Sequence, residues 1–460
     1  MASNRQVSTK ARPHISVFSL LAILALSLAT TAQAATYYVD QGNASASDSN
    51  PGTATAPWKS LMKAAQTANA GDVVIVKAGR YVDPSGTWEH AFNPTNSGTA
   101  LAPIVFRSEP RLAAVVAPVD YPTNRTMAFG IQSRNYITID GFKGEGEIGV
   151  MANTGGVIQN CEVIYGSIQD TDNSLNWGIT AHTSTQVTIK NNYVHNMHDS
   201  TNNSHNTAGI MTLASSNCTF ENNDVDCGGG IVYSAYGQKG GQITNCVWRY
   251  NIARNGTTGF LGMGSTNNVN FSTDNQFYSN IIIGCSQSAF ELDHNTKRFS
   301  IYNNVSYNTK VFLWADYNDP DNTNMSCWNN IVAVGDRAYH RETGSTTDWH
   351  ALLDLSYYNN FNTPKIATWN WGSSAYTTLS GWTQATLFDP VSVNVAPGFV
   401  NAAAGDFHLT TSSPCRKVGL NGVDLGAYPF GNEVIGLDLQ GAGGSGDSTV
   451  PSAVTDLRAR

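Results

Sequence analysis

The stretch VTIKNNYV (residues 187–194) returns along the chain in altered forms and decides the fold. Close copies are CTFENNDV (218–225), FSIYNNVS (299–306), MSCWNNIV (325–332) and SYYNNFN (356–362), and weaker ones are VIQNCEVI (157–164), QITNCVWR (242–249) and FYSNIII (277–283). The first residues of the pairs are Asn160, Asn191, Asn222, Asn245, Ser279, Asn303, Asn329 and Asn359, at intervals of 31, 31, 23, 34, 24, 26 and 30 residues. A short phrase at an elastic period predicts stacked coils joined by loops of variable length.

A second pattern runs in step with the Asn phrase. Coils open with a small residue followed by alternating apolar residues, as at Gly178-Ile179, Gly209-Ile210 and Gly259-Phe260. Successive side chains of a strand point to opposite faces, so the alternation indicates a dry interior and an outer face. Two short strands per coil, joined at an Asn pair, predict an all-β parallel β-helix. Asn suits the corner because it tolerates the left-handed backbone region and stacks with Asn of the next coil.

The sequence divides into four parts. Residues 1–34 are typical of a secretory signal: Lys10 and Arg12 precede an apolar run, and Ala32-Gln33-Ala34 gives a small-residue cleavage pattern. Residues 35–435 form the β-helix domain, with a short amphipathic helix at 58–69 expected to cap its N-terminal end. A Gly/Ser linker follows at 436–449, and 450–460 looks like the truncated start of a fibronectin III-like segment. We expect a secreted protein, extracellular or periplasmic, that does not span a membrane.

Composition excludes several functional classes. The net charge of −8 argues against nucleic acid as a partner, and no P-loop, GxGxxG or zinc-ligand spacing is present. Of seven cysteines, Cys161 and Cys246 occupy the second place of an Asn-pair phrase. Such positions are typical of small buried residues, so we expect no disulfide framework. A capped solenoid also needs no partner chain, and we expect a monomer.

One coil stands apart by its charge. With Ile179, Phe260 and Phe290 taken as inward, the alternation predicts the outward residues Thr180, His182, Met211, Val232, Ser234, Leu261, Met263, Glu291 and Asp293. Glu291 and Asp293 then lie on one face, about 6.5 to 7 Å apart. Further polar and aromatic residues follow in this coil and the next two: His294, Lys297, Arg298, Trp314, Asp316, Asp319, Asp321, His340 and Arg341. The patch suits a glycan cleft; alternatively, its charges only keep a solenoid soluble.

Three loops near this face carry candidate ligands. DYNDPDNTN (316–324) is acidic at alternating places, so Glu291, Asp293, Asp316, Asp319 and Asp321 form a possible Ca²⁺ site, with a plain polar turn as the alternative. HNMHDSTNNSHNT (195–207) supplies several His residues that could line the cleft or remain solvated. YSAYGQKGG (233–241) supplies Tyr236 and Lys239 as a sugar platform and a base, whereas Tyr233 is inward by the count.

The N-terminal segment YYVDxxGxxxSDSNPGT…PWKSLMKAA…AGDVVIVKAGRY resembles that of secreted right-handed parallel β-helix proteins of the pectate lyase-like superfamily. PGFVNAAAGDFHLTTSSPC (397–415) with DLGAYPF (424–430) resembles their closing segment. AFELDHNTKRFSIYNNVSYNT (289–309) is distantly similar to the late coils of family 9 polysaccharide lyases. That family would place a basic residue after Gly259-Phe260, where this chain has Leu261, so its catalytic lysine has no counterpart here. The resemblance implies the fold more strongly than the chemistry.

Three functions fit these observations. The first is a lyase that cleaves a uronate-containing polysaccharide by β-elimination, with Lys297 or Lys239 as base, Arg298 on the uronate carboxylate and His294 beside them. Trp314, Tyr236, His182, His340 and Arg341 would bind substrate, and Ca²⁺ would bridge to it. The second is a glycoside hydrolase that uses Glu291 and Asp293. The third is a non-catalytic glycan-binding or adhesion solenoid, which the fibronectin-like tail favours.

Overall fold

The computed structural model describes residues 34–119, 127–164, 176–197, 207–237, 241–265, 271–315, 322–342, 349–369 and 375–438. Successive coils stack their strands into three long sheets, which we call sheets 1, 2 and 3 in the order in which the repeating coils visit them. The sequence predicted two strands per coil, and that count is wrong. The third strand escaped notice because many sheet 2 strands, such as Glu162–Ile164, have only three residues and show little alternation.

Sheet 1 contains twelve parallel strands. They are Thr36–Val39, Val73–Val76, Ile104–Ser108, Ile137–Asp140, Val157–Gln159, Thr188–Lys190, Thr219–Glu221, Val247–Arg249, Gln276–Tyr278, Ser300–Tyr302, Met325–Trp328 and Leu353–Tyr357. Sheet 2 contains eleven. They are Gly79–Val82, Ala114–Ala117, Lys143–Gly144, Glu162–Ile164, Tyr193–His195, Asp224–Asp226, Ile252–Arg254, Ile281–Ile283, Val305–Tyr307, Ile331–Ala333 and Asn360–Asn362.

Sheet 3 carries the longest strands of the repeating coils. They are Phe129–Gln132, Ile148–Met151, Asn176–His182, Thr207–Leu213, Ile231–Tyr236, Thr258–Met263, Ser288–Asp293, Val311–Ala315, Arg337–Arg341 and Lys365–Trp369, with Ala375–Tyr376 added antiparallel at the end. Two small sheets complete the β structure. One joins Ile243–Thr244, Ser272–Thr273 and Thr296–Lys297 in parallel, and the other is the antiparallel pair Phe399–Asn401 and Asp406–Leu409.

The second residue of each Asn phrase forms a buried ladder between sheets 1 and 2. Its members are Asn192, Asn223, Asn251, Asn280, Asn304, Asn330 and Asn359, each fully buried. Asn223, for example, donates its amide to Asn251 Oδ1 in the next coil at 3.0 Å and to the Ile189 carbonyl at 2.9 Å. Because every amide satisfies a main-chain group and the next amide, the ladder fixes the corner of each coil. The structural role predicted for the Asn pairs is confirmed.

The first residue of each phrase adopts the left-handed conformation that the corner requires. These residues are Asn160, Asn191, Asn222, Tyr250, Ser279, Asn303, Asn329 and Tyr358, with φ between 52° and 58°. Two of the residues predicted as the first residue of a phrase were therefore wrong. Asn245 belongs to a different corner, where Cys246 stacks against Cys218, and Asn359 is the second residue of its phrase. All seven cysteines are buried as free thiols.

The core fills the space between the three sheets and is rich in stacked rings. Phe220, Trp248 and Phe277 lie in consecutive coils with ring centroids 4.7 Å apart. In sheet 3 two successive residues of a strand can face this core, as Val232 and Tyr233 do. The prediction that Val232 faces outward is wrong for this reason, since a strictly alternating strand has no such pair.

Within the described residues, three α-helices lie near the two ends of the solenoid. Leu61–Thr67 begins at the N-cap Ser60 and buries Leu61, Ala64 and Ala65 in the core, which confirms the predicted capping helix with shorter bounds. At the other end, Trp349–Leu352 and Leu379–Thr386 bury Trp349 and Trp382 in the same core. No helix within the described residues is long and apolar enough to span a membrane.

The C-terminal segment does not continue the coils but returns along sheet 2. Phe407 and Leu425 pack on outward residues of that sheet, including Val305 and Ile331. Corner amides hold the chain: Asn222 donates to the Val434 carbonyl at 2.7 Å, and Asn191 accepts from the Asp438 amide at 2.6 Å. We call residues 397–438 the C-terminal strap. It stays in contact with the β-helix three residues beyond the predicted boundary at 435.

Candidate active site on the outer face of sheet 3

The outer face of sheet 3 carries an acidic, an aromatic and a basic residue in consecutive coils. Glu291 aligns with Trp314, and Trp314 aligns with His340. Glu291 lies between Phe290 and Leu292, which both belong to the core, so its side chain points outward as the alternation predicts. Neighbouring coils are about 4.8 Å apart, so the three residues form one row, which we call the catalytic row.

Hydroxyl groups hold the carboxylate of Glu291. Thr258, in the preceding coil, donates a short hydrogen bond to Glu291 Oε2, and Ser288 Oγ lies 3.3 Å from the same oxygen. The two hydroxyl oxygens are themselves 3.1 Å apart. Thr258 and Ser288 were not singled out in the sequence, because a hydroxyl next to a carboxylate becomes visible only once the coils are in register.

Asp293 lies on the same strand and face, two residues beyond Glu291. His294 follows it in a left-handed conformation, with φ of 34°, and places Nε2 at 3.3 Å from Asp293 Oδ1. Glu291 and Asp293 are each 2 % exposed. The predicted pair therefore exists on the outer face, and both side chains are almost fully buried there.

The other end of the catalytic row is basic. Trp314 packs edge-on against the His340 ring at 5.2 Å between centroids. His340 Nδ1 lies 2.7 Å from Thr368 Oγ1 and 3.5 Å from Arg337 Nη1. Burial, reinforced by the charge of Arg337, lowers the pKa of His340 to about 4. The imidazole is therefore neutral at neutral pH, and the same surroundings make it a weak base.

Arg337 brings a cation to this end of the row. Its guanidinium contacts the carboxylate of Asp336 and donates to Thr368 Oγ1 at 2.7 Å. Lys365, in the next coil, shares the same carboxylate at 3.1 Å. Two cations thus surround one anion. Arg337 and Lys365 were missed because Asp336-Arg337 reads in sequence as an ordinary polar turn.

Two residues predicted as catalytic lie elsewhere. Lys297 belongs to the small three-stranded sheet, where it pairs with Thr273, and its Nζ lies over the Phe271 ring at 5.1 Å. Arg298 forms a two-point ion pair with Asp274, with both nitrogen–oxygen distances at 2.7 Å. The chain turns a corner after Asp293, so nearness in sequence did not place these cations on the face of Glu291.

The predicted substrate-binding residues spread along the face. His182, Tyr236 and Asp293 share a second outward row, with Met263 directly before Asp293. Tyr236 is two coils from Asp293 and His182 is four, or roughly 10 and 19 Å.

Arg341 lies in a different row, that of Leu292 and Ala315, at the end of its strand. Trp314 and His340 therefore lie closest to Glu291, while Tyr236 and His182 lie farther along the solenoid.

Between His182 and Glu291 the outer face is apolar. Met211, Leu213, Ile231 and Leu261 form a buried cluster there, separate from the main core. Leu261 is the neighbour of Glu291 in the preceding coil. The position where family 9 lyases would have a basic residue is therefore a packed leucine in this chain.

The described residues do not form a recognisable Ca²⁺ site. No group of three or more His, Cys, Asp or Glu side chains in that part of the chain is arranged to hold a metal ion. Glu291 Oε2 is occupied by hydroxyl donors, and Asp293 contacts His294. Asp316, Asp319 and Asp321 lie outside the described residues, as does the proposed base Lys239.

A second outward carboxyl was missed by the sequence analysis. Glu147 immediately precedes the strand Ile148–Met151 and accepts a hydrogen bond from Thr180 Oγ1 at 2.6 Å. Burial raises the pKa of Glu147 to about 8. Two residues later, a Cβ at Gly149 would lie 2.1 Å from the Thr180 hydroxyl, so only glycine fits beside this contact.

Comparison with known proteins identifies the architecture. No protein-family model matches the chain, and no curated protein matches it. Among solved structures, pectate lyase Pel9A is similar with a TM-score of 0.54 and 16 % identity, over 85 % of this chain and 96 % of that chain. The GH136 lacto-N-biosidase from Eubacterium ramulus has a TM-score of 0.43 and 11 % identity, over 79 % and 67 % of the two chains. The PL6 polysaccharide lyase Pedsa3628 from Pseudopedobacter saltans has a TM-score of 0.40 and 11 % identity, over 80 % and 97 %. The chain therefore has the right-handed parallel β-helix fold of pectate lyase Pel9A.

Proposed function

We propose that the protein is a secreted polysaccharide-degrading enzyme that cleaves a uronate-containing chain by β-elimination on the outer face of sheet 3. The observation that carries this proposal is the catalytic row, in which Glu291, Trp314 and His340 occupy consecutive coils. The row runs along the solenoid, which is the direction in which a bound polysaccharide would lie, and its three side chains are buried. The choice of a lyase over other reactions is an analogy with pectate lyase Pel9A, whose fold this chain shares.

The basic end of the row supplies what β-elimination needs. His340 is the candidate base for the proton next to the uronate carboxylate; its pKa, lowered by burial and by Arg337, would have to rise on binding, as pairing of Arg337 with the uronate carboxylate would cause. Arg337 and Lys365 would balance the carboxylate and the charge that develops on it. Trp314 would stack against the sugar ring. Arg298 is no longer the preferred carboxylate partner, because it pairs with Asp274 beside the small three-stranded sheet and not on the outer face of sheet 3.

Hydrolysis is the second candidate, and the acidic end of the row favours it. Glu291 and Asp293 project from one strand two residues apart, and Lys297 and Arg298 lie away from them. The expected separation of Glu291 and Asp293, about 6.5 to 7 Å, is nearer to the inverting than to the retaining arrangement of glycosidase carboxylates.

One assay distinguishes the reactions. The purified protein is incubated with pectate, alginate, glycosaminoglycans and neutral glycans, and both ultraviolet absorbance and new reducing ends are followed. β-Elimination predicts that both increase together; reducing ends without absorbance would establish hydrolysis and overturn the lyase proposal. Retained binding without cleavage would make the chain a glycan-binding solenoid.

A chelator arm tests the calcium proposal in the same experiment. Loss of activity that Ca²⁺ restores would support a bridging ion held in part by residues 316–321. Full activity after chelation would remove calcium from the mechanism.

A further inference from the structure

The main-chain nitrogen of Ala35 lies 2.8 Å from Asp72 Oδ1. Ala35 is the residue that follows the small-residue cleavage pattern Ala32-Gln33-Ala34. Asp72 is only 5 % exposed, and its second oxygen accepts from the Asn69 amide at 2.8 Å. Within the described residues, both hydrogen bonds to this buried carboxylate therefore come from main-chain amides.

We propose that Asp72 is the receiving site for the new amino terminus that forms when the chain is cleaved between Ala34 and Ala35. In that reaction a signal peptidase hydrolyses the amide bond: water gives its oxygen to the carboxylate of Ala34, and Ala35 keeps the nitrogen as an ammonium group. The donor to Asp72 then changes from a neutral amide to a cation without any change of position.

The surrounding geometry fixes this position. The Ala35 carbonyl accepts from the Val73 amide at 2.9 Å, and Thr36 pairs with Val73 as the first residue of sheet 1. The Asp72 carbonyl accepts from the Val105 amide at 2.9 Å, which ties the carboxylate to the third strand of the sheet. Ala35 and Asp72 thus sit at fixed places on adjacent strands.

A buried carboxylate is stabilised most by a charged donor. Hydrogen bonds between ionised partners are roughly twice as strong as those between neutral partners. A buried anion without a cation is also costly, because desolvation is not offset. Cleavage therefore strengthens the attachment of the first strand at the moment when the exported chain must hold its fold without its leader. An uncleaved chain keeps the same hydrogen bond but lacks the charge.

The first test is the terminus itself. N-terminal sequencing of the exported protein should give Ala35 as the first residue. A different first residue would overturn the proposal, because the charged group would then stand elsewhere.

The second test separates charge from shape. Two full-length mature chains are compared, one that begins at Ala35 and one that retains Gln33-Ala34, each with Asp72 and with Asp72→Asn. The unfolding equilibrium constant should be about tenfold lower for the Ala35 chain than for the extended chain. In the Asp72→Asn background this difference should vanish, since Asn keeps an acceptor oxygen but no charge.

Asp83→Asn is the matched control. Asp83 is 2 % exposed and accepts main-chain hydrogen bonds from Ser85 and Phe92, as well as one from the Ser85 hydroxyl, so it shares the burial and the main-chain donors of Asp72 away from the terminus. The tenfold effect of the extension should persist in this variant. An effect that also persists in Asp72→Asn, or no effect of the extension at all, would overturn the proposal.

Discussion

Thr258 donates a hydrogen bond to Glu291 from the neighbouring coil of sheet 3. The contact joins residues 33 positions apart in sequence and orients the carboxylate in the catalytic row. Ser288 Oγ lies within 3.3 Å of the same oxygen. The orientation of Glu291 thus depends on the stacking of two coils, not on its own strand alone.

Replacing Thr258 with Val should weaken catalysis more than folding. The variant keeps the shape of the side chain but removes the donor, so Glu291 can rotate away from its working position. We expect kcat/KM to fall by about tenfold or more, with about 1 kcal/mol lost in the free energy of unfolding, because Ser288 Oγ still lies within 3.3 Å of the same oxygen. Ser288→Ala, which removes the longer contact, is the control and should have the smaller effect on kcat/KM. A larger loss of kcat/KM in Ser288→Ala than in Thr258→Val would contradict the conclusion that Thr258 is the main donor to Glu291.

Stability should fall as pH rises through the range set by Glu147. Burial raises the pKa of this carboxyl to about 8 in the folded chain, whereas an unfolded Glu ionises near 4.3. Between these values the folded state binds more protons than the unfolded state, so the free energy of unfolding decreases with pH. The total decrease is on the order of several kcal/mol.

Glu147→Gln should remove that pH dependence and raise the Tm at pH 7 to 8. The measurement is Tm between pH 5 and 8 for both chains. Glu145→Gln is the matched control, since Glu145 forms an ion pair with Arg80 near the surface. Equal pH slopes in the wild type and Glu147→Gln would show that this carboxyl is not the source.

Removal of one amide from the buried ladder should be strongly destabilising. Asn280 donates to the Trp248 carbonyl at 3.0 Å and to Asn304 Oδ1 at 3.1 Å, and its oxygen accepts from Asn251. Asn280→Ala leaves these buried groups without a partner and should cost about 2 to 5 kcal/mol in the free energy of unfolding.

Asn308→Ala provides the comparison for the ladder. Asn308 is exposed and has φ of 53°, so Ala there loses only the left-handed preference of Asn, about 1 kcal/mol. Denaturant unfolding of Asn280→Ala and Asn308→Ala gives the loss in the free energy of unfolding for each variant. Similar costs at the two positions would mean that the ladder contributes no more than backbone conformation.

The C-terminal strap should contribute stability without touching the reaction. Phe407 is 1 % exposed and packs against Tyr307 of sheet 2 and against Phe399. Phe407→Ala should cost about 3 to 5 kcal/mol, while kcat per folded molecule stays unchanged because the catalytic row lies on sheet 3. Phe430→Ala is the control, since Phe430 is 78 % exposed. A loss of kcat in folded Phe407→Ala would link the strap to the site.

The sequence predicted the coils and the outward direction of Glu291 because both follow from periodicity. It misplaced the phrase near Asn245 because the true corner residues there are Tyr250-Asn251, and Tyr in the first position hides the pair. It also could not locate Lys297 and Arg298, since the turn after Asp293 has no periodic signature. Contacts between coils, such as Thr258 with Glu291 or Ala35 with Asp72, depend on loop lengths that periodicity does not determine.

The central claim is that chain cleavage occurs at the catalytic row. The most direct measurement is the rate at which Glu291→Gln and His340→Gln release reducing ends and ultraviolet-absorbing products from the polysaccharide that the wild type cleaves best. Glu109→Gln is the control, because that side chain is 56 % exposed and directly follows the sheet 1 strand Ile104–Ser108, away from sheet 3. We expect a loss of about a hundredfold or more in at least one catalytic-row variant that remains folded, with an unaffected control. Wild-type rates in both Glu291→Gln and His340→Gln would contradict it.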